Sequence, residues 1–434
     1  MSELKKKKIK ISCEISYSEE PLVPIMNSDL YNDLIKIKSQ IDQIDSKKWY
    51  FCRNLTNDYE YICDKHPYLK RIPYNMKYSV LDEMNQTKIP MYQDVYSRSF
   101  FKLWEIMRIY GKKMNICSND PLTCVTLAEG PGGFLQSILE YRCNKPTKIY
   151  GITLRDGTQN ITKWNNKFFQ NDKVILTYGD EDKNHDGDLM NYEVLEYFCN
   201  YVTEGNQKVD IVTADGGYSI SVEDENFKEQ LHFPLFYNEA ICALSIQKKG
   251  GCFILKIYDM FTLPTCQLFA LLSIYYKEVF ITKPLTSRPA NSERYVVCLG
   301  FKGITKKELS KLHKTSLSVS NNAIRYKSVL NDGKYKKTKK GSFVSSIFRN
   351  EYCNNDIKLQ IEYHNNKFIP SQIDNISDIL SLIRDMDRNE RIGDMESNSD
   401  IFSFYEMIQN RNAIQWCRYN EMPFNSKYSL DRYV

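Results

Sequence analysis

Four charged residues stand where apolar segments end. Asp215 closes Val209-Asp210-Ile211-Val212-Thr213-Ala214, and Lys256 ends Gly251-Cys252-Phe253-Ile254-Leu255. Glu293 opens the apolar run 294–300, and Lys102 lies on the helical stretch around Ser99-Phe100-Phe101. A charge at the end of a largely apolar strand is costly unless it is paired or functional. Taken singly, each reads equally well as a structural ion pair or a solvated strand end. Together, two lysines and two acids form a net-neutral set that can orient or deprotonate a weakly acidic alcohol. A ribose 2′-OH that gives up its proton as its oxygen takes a sulfonium methyl in line is such a case. That chemistry asks for a lysine of depressed pKa. Desolvation and a neighbouring cation depress it, while adjacent carboxylates oppose the shift and hold its geometry. Titration then belongs to the set, and holding the reactants in near-attack geometry supplies the rest of the rate.

A second signature is Leu127-Ala128-Glu129-Gly130-Pro131-Gly132-Gly133-Phe134. It follows the apolar run 124–127 and precedes Leu135-Gln136-Ser137-Ile138-Leu139-Glu140, whose apolar residues sit at helical spacing. A glycine-rich strand–helix turn lets the backbone approach a ligand at the carboxyl edge of a parallel sheet. Pro131 argues against a dinucleotide-type turn, and no Lys-Ser or Lys-Thr follows to make a P-loop. Gly-Pro-Gly-Gly suits S-adenosylmethionine, whose methionine end carries no phosphates. The plain alternative is an ordinary tight turn.

The elements that must position these residues alternate. Strands are expected over 124–128, 148–153, 174–177, 209–214, 251–257, 278–282 and 294–300, and helices over 100–110, 133–141, 231–247 and 265–276. Alternation argues for a parallel α/β sheet. The connection 283–293 is too short for a crossover helix, so the last two strands pair antiparallel. The expected fold class is α/β, a Rossmann-like seven-stranded methyltransferase fold with one antiparallel strand. Residues 1–85 read as an N-terminal extension with a helix over 29–44, residues 86–303 as the catalytic domain, and 304–434 as a mostly helical C-terminal region. There Ile373, Ile376, Ile379, Leu380, Ile383 and Met386 trace one helical face, and a second helix covers 402–417.

The 434 residues are 42% hydrophobic and 26% charged, ordinary for a globular chain. No apolar stretch is long enough to span a bilayer, and no signal peptide is expected. The formal charge of +5 permits a nucleic-acid partner without demanding one. Basicity is local: Lys5 to Lys8 reads as a nuclear signal, an RNA-touching arm or a solvated tail. Lys334-Tyr335-Lys336-Lys337-Thr338-Lys339-Lys340 reads as a phosphate-neutralising tract or a mobile surface loop. Thirteen cysteines, many in apolar runs, indicate a reducing compartment. Cys52, Cys63 and His66 form the one loose metal-like cluster. With no C-x-x-C pair, no metal site is expected. Richness in Lys, Asn, Ile and Tyr suggests an AT-rich genome such as that of a large DNA virus or a protist. The expected compartment is the cytoplasm (viral factory or virion) for a viral chain and the nucleus for a cellular one.

The order Lys102, Gly-Pro-Gly-Gly-Phe, Asp215, Lys256, Glu293 resembles the RrmJ/FtsJ superfamily of ribose 2′-O-methyltransferases with its Lys-Asp-Lys-Glu tetrad. It is most similar to the branch acting on capped mRNA. Gly151-Ile152-Thr153-Leu154, Ala214-Asp215-Gly216-Gly217-Tyr218-Ser219 and Thr286-Ser287-Arg288-Pro289-Ala290-Asn291-Ser292-Glu293-Arg294-Tyr295 carry that likeness, over roughly residues 95–303. The resemblance implies S-adenosylmethionine as cofactor and Lys256 as the catalytic lysine, supported by Asp215, Lys102 and Glu293. It implies Gly130, Pro131, Gly132, Gly133 and Phe134 around the methionine end, with Thr153 nearby and Asp188 at the adenine. It places Arg98 and Asn291 on RNA, and Glu225 and Asn226 at the cap guanine, where a carboxylate and an aromatic suit a cationic 7-methylguanine. Arg288 reads as a phosphate contact or a plain surface residue. Capped mRNA is the implied partner, with other capping or transcription machinery beside it. Two departures stand out. Thr126 replaces an acid often found at the end of the first strand, leaving Glu129 to take that role. The second strand ends without a ribose-binding acid. The other functions consistent with the pattern are a ribosomal or other RNA 2′-O-methyltransferase and a catalytically silent RNA-binding subunit of a capping complex.

Overall fold

The computed structural model describes residues 14–63, 95–155, 163–220, 222–331, 334–348 and 355–422. Parallel strands β2 (Leu122–Leu127), β3 (Thr147–Ile152), β4 (Val174–Thr177) and β5 (Val209–Ala214) form one half of a seven-stranded sheet. Strands β6 (Gln247–Ile257), β7 (Tyr276–Thr282) and β8 (Arg294–Phe301) form the other. The order is β4-β3-β2-β5-β6-β8-β7. β8 slots between β6 and β7 and runs antiparallel to both, as the short 283–293 connection requires. In β2, Cys124, Val125 and Leu127 are fully buried, the signature of a strand covered on both faces.

One face is covered by α4 (Ser99–Met114) and α5 (Gly133–Arg142), whose Leu103, Ile106, Phe134 and Ile138 share a core with Cys124, Ile149 and Ile254. The other is covered by α6 (Tyr192–Val202), α7 (Lys228–Ile246), α8 (Leu263–Tyr275) and α9 (Lys306–Asn322). The expected strands and helices all appear, with ends moved by a few residues. The largest shift is in β6, which begins at Gln247 and carries a bulge opposite β5 at left-handed Gly250 (φ 87°).

Beyond the sheet, the structure departs from expectation. Strand alternation was expected to fade after 304. Instead β9 (Arg325–Asn331) and β10 (Lys334–Lys340) form an antiparallel hairpin, and β11 (Phe343–Ser346) pairs with β1 (Ser16–Ser18). The lysine tract is thus strand β10. Lysine is a poor strand former, so the local pattern concealed it, although Asp332-Gly333 is a hairpin signal in the sequence. The stretch 29–44 is not one helix but α1 (Ser28–Lys38) and a 3₁₀ turn, Ile41–Gln43. After α2 (Ser46–Leu55) and the short α3 (Glu60–Cys63), the two C-terminal helices α10 (Asn355–Ile392) and α11 (Met395–Tyr419) appear as expected. The periodic face of α10 meets the N-terminal segment. Leu34 packs with Ile376 and Leu380, and Cys52 with Ile379, Ile383 and Met386.

Seven of the nine free cysteines among the described residues are buried. Cys266 is disulfide-bonded, which departs from a set of thiols throughout. Lys5 to Lys8 and His66 lie outside the described residues. No helix among the described residues is long and apolar enough to cross a membrane.

Glu229, in the first turn of α7, fixes the entry to α8. Its buried carboxylate accepts hydrogen bonds from the Phe261 N–H (2.9 Å), the Thr262 N–H (3.0 Å) and the Thr262 hydroxyl (2.8 Å). Burial lifts its pKa to about 7 against the pull of those donors. We expect Glu229→Ala to strand these donors and cost about 3 kcal/mol. The check is a lower denaturant midpoint at unchanged slope.

Candidate active site

The turn after β2 is built from unusual backbone. Ala128 is left-handed (φ 51°), and Gly132 has φ 112° with a missing Cβ that would run into the Phe168 ring. Only glycine tolerates that combination. The Gly130 N–H donates to the Thr153 hydroxyl (3.0 Å), tying the turn to the end of β3. Glu129 turns inward and accepts the backbone N–H groups of Phe134 and Leu135, capping α5. Burial pushes its carboxyl well above the usual carboxylate range. Phe134 is fully buried, its ring 5.9 Å from that of Tyr295.

The four charged residues converge as two ion pairs. Lys256 Nζ stands 3.3 Å from Asp215 Oδ1 and donates to the Asp215 carbonyl (2.6 Å). Lys102 Nζ lies 2.7 Å from Glu293 Oε1. Asp215 follows β5, Lys256 is the penultimate residue of β6, Glu293 precedes β8, and Lys102 sits in the first turn of α4. Two further side chains lock the set, and a third lies beside it. Tyr295, directly across the ladder from Lys256, donates its hydroxyl to Asp215 Oδ1 (2.9 Å). Ser287 donates to Glu293 Oε1 (2.9 Å). Glu239 of α7 is fully buried against Gly216, and burial pushes its carboxyl well above the usual range. Sequence reasoning missed all three, although Ser287 and Tyr295 flank Glu293 in the motif that singled it out.

The lysine of depressed pKa is not what the structure holds. Burial alone would pull Lys256 down. Asp215, Tyr258, Glu293 and Glu239 outweigh it and raise the pKa above the ordinary lysine value. Burial would raise Glu293, yet Lys102, Lys256 and Lys283 hold it well below the usual glutamate range. Carboxylates win because they lie within a few ångströms in a desolvated site.

The residues assigned to RNA are engaged with the protein itself. Arg98 reaches Glu60 through Nη1 (2.6 Å) and Nη2 (3.2 Å), and Arg288 reaches the same carboxylate through Nε (3.0 Å) and Nη2. Glu60 lies outside the motif region, and no local pattern marked it. Asn291 Oδ1 accepts from Lys283 (2.7 Å) and Ser287 (3.3 Å). Glu225 is exposed and pairs with Lys228 (3.1 Å), and Asn226 shares its 3₁₀ turn, Val222–Phe227, without a described contact to the four charges. The loop after Asp215 is anchored instead through Tyr218. His232 Nε2 accepts the Tyr218 N–H (3.2 Å), Nδ1 donates to the Lys228 carbonyl (2.9 Å), and the two rings stack 4.2 Å apart. Burial and Lys228 push His232 down to about 3, so it is neutral at physiological pH. Asp188 Oδ1 accepts the Met190 N–H (2.8 Å), with Arg325 3.7 Å from its other oxygen.

A nucleoside cofactor fits the donor set along the β2–β4 edge. The buried Thr126 hydroxyl and the Trp164 ring, which carries Nε1, flank Gly151, and His185, with its Nε2, immediately precedes the Asp186-Gly187-Asp188 turn. None of these three atoms has a hydrogen-bond partner. Gly187 is left-handed (φ 80°), and a Cβ there would strike the Thr153 carbonyl. Among the described residues, no cluster of His, Cys, Asp and Glu is arranged for a metal.

Residues 95–301 match the family model described as FtsJ-like methyltransferase. Over 277 residues the chain is 31% identical to the human "Cap-specific mRNA (nucleoside-2'-O-)-methyltransferase 1", covering 63% of this chain and 31% of that protein. Over 213 residues it is 32% identical to the protein of the same name from Trypanosoma brucei brucei, covering 48% of this chain and 53% of that one. The chain thus spans about a third to a half of the length of these relatives. Among solved structures, a ribosomal RNA methyltransferase from Plasmodium falciparum is 21% identical with a TM-score of 0.34, covering 48% of this chain and 99% of that one.

The Lys102–Glu293 pair sets an acid limb of stability. Glu293 binds its proton less tightly folded than unfolded, so the unfolded chain takes up more protons as pH falls. Stability from the pair is complete above the ordinary glutamate value of 4.5 and is lost as pH falls below it. We expect Lys102→Met to flatten that limb, read by chemical denaturation between pH 3 and 7, on the order of the range where carboxylates titrate.

Proposed function

Residues 95–301 are an FtsJ-like methyltransferase domain, and on that premise we propose that the chain transfers a methyl group from S-adenosylmethionine to a ribose 2′-OH of capped mRNA. The most specific form of this reading is conversion of cap 0 to cap 1. The observation that carries it is the convergence of Lys256–Asp215 and Lys102–Glu293 at the strand ends beside the Gly130–Phe134 turn. The named relatives support the choice of capped mRNA.

S-Adenosylmethionine, when bound, supplies an electrophilic sulfonium methyl. Gly130, Pro131, Gly132, Gly133 and Phe134 would hold its methionine end, and Thr153, with Glu129 behind the turn and Asp188 beyond β4, would bound the rest. Lys256 is the group that meets the 2′-OH. Protonated, it donates to the hydroxyl oxygen and orients it. To accept the hydroxyl proton it must first be neutral, and cationic charge brought beside it works in that direction. Asp215, held by Tyr295, fixes the lysine amine, and Lys102 with Glu293 balances the charge on the opposite side. Arg98 and Asn291 border the face where RNA would enter. Glu225 and Asn226 are the candidates for the cap guanine, on the loop that begins at the Tyr218–His232 contact. Such chemistry joins other capping or transcription machinery, in the cytoplasm for a viral chain and the nucleus for a cellular one.

The test is methyl transfer to m7G-capped, G-capped and uncapped RNA, with the methylated nucleotide mapped. Transfer that requires the 7-methyl group and lands on the first transcribed nucleotide is expected. Equal transfer to uncapped RNA would overturn the cap reading. Lys256→Ala should abolish turnover, a loss of roughly 100-fold or more, while the melting temperature and cofactor binding stay near those of the parent. Robust turnover by that variant would overturn the mechanism.

A further inference from the structure

Lys283 is the first residue after β7, and its amine bonds to the connection that delivers Glu293. Nζ donates to Asn291 Oδ1 (2.7 Å), the Asn291 carbonyl (2.8 Å) and the Glu293 carbonyl (2.9 Å), with Ser287 Oγ at 3.5 Å. Ser287 in turn donates to Glu293 Oε1, on which Lys102 is seated. A single ammonium therefore grips the main chain of Glu293 and, through Asn291 and Ser287, addresses its carboxylate.

We propose that Lys283 is a positioning residue for the methyl-transfer site, a fifth charged group that fixes Glu293, and through it Lys102, against Lys256 and Asp215. The inference rests on the 2′-O-methyltransferase reading above and deepens it. Three features favour this role over simple loop stability. The acceptors are all within one short connection, so the clamp sets where Glu293 stands rather than joining distant elements. Keeping a cation here is costly: burial and the neighbouring Arg294 push the amine down to about 7, with Glu293 opposing and Lys102 adding to the effect. Lys283 is also among the residues that line an open cavity of about 730 Å³ with Tyr59, Ser287, Phe368 and Tyr405, so the clamp forms part of that cavity's wall.

The experiment measures steady-state methyl transfer on capped RNA with the full chain, its Lys283→Met and Ser287→Ala variants and the double variant. Cofactor affinity and melting temperature are followed in parallel. Lys283→Met should lower kcat roughly 10- to 100-fold, the scale of a reacting group displaced by about 1 Å, with cofactor affinity unchanged within about twofold. Ser287→Ala should lower kcat several-fold, and the double variant should be no worse than Lys283→Met alone, because both act on one group. A Lys283→Met enzyme with parental kcat and a raised KM for RNA would overturn the proposal and make Lys283 an RNA contact. Fully multiplicative losses in the double variant would overturn the coupling through Glu293. Should Lys283→Met fail to fold, Ser287→Ala decides alone: parental kcat refutes the relay. Parental turnover separates the two levels, since its absence on every RNA overturns the methyltransferase reading, whereas its presence with indifferent variants overturns only the role of Lys283.

Discussion

The structure depends on one constraint: a strand inserted against the grain. β8 runs antiparallel between β6 and β7, and its register sets Tyr295 opposite Lys256. Because Glu293 immediately precedes β8, the same register delivers its carboxylate to the mouth of the site. A one-residue slip would turn Tyr295 to the other face and release Asp215. The 283–293 connection is therefore a structural component of the site, held by Lys283, Ser287 and Asn291 rather than left as a loop.

Electrostatics follow from that placement. Neighbouring opposite charges outweigh burial at Lys256 and Glu293, so Lys256 rests with its proton and Glu293 without one. A neutral lysine base at rest would need cationic charge in excess beside it, and Asp215 and Glu293 instead hold Lys256 protonated. On the proposed function, the protonated Lys256 would orient a hydroxyl, and loss of its proton would follow a change of charge at the site. Pairing of this kind is costly to break from one side, because the remaining partner is left buried and uncompensated.

The chain outside the matched domain also reaches the site. Glu60, from the N-terminal segment, bridges Arg98 at the start of α4 and Arg288 in the β7–β8 connection. The segment is itself clasped by α10, whose apolar face meets Leu34 and Cys52. Helices α1, α2 and α10 therefore pack as one layer beside the connection that carries Arg288 and Asn291.

Much was legible in the sequence where local chemistry and local pattern agree. Apolar runs ending in Asp215 and Lys256, the glycine turn at 130–133 and the short 283–293 connection determined the sheet, its reversed strand and the four charges of the site. Periodicity at 373–386 determined α10. What only the tertiary structure decided arises from pairing between distant residues. The lysine-rich β10 is a strand because β9 supplies its hydrogen bonds, and β1 is a strand because β11 lies beside it. Arg98 is bound to Glu60 because folding brings α3 against α4. The protonation of Lys256 was likewise undetermined by residue types alone. The types name both a desolvation that lowers its pKa and carboxylates that raise it, and the balance is set by distances that exist only once β5, β6 and β8 lie side by side.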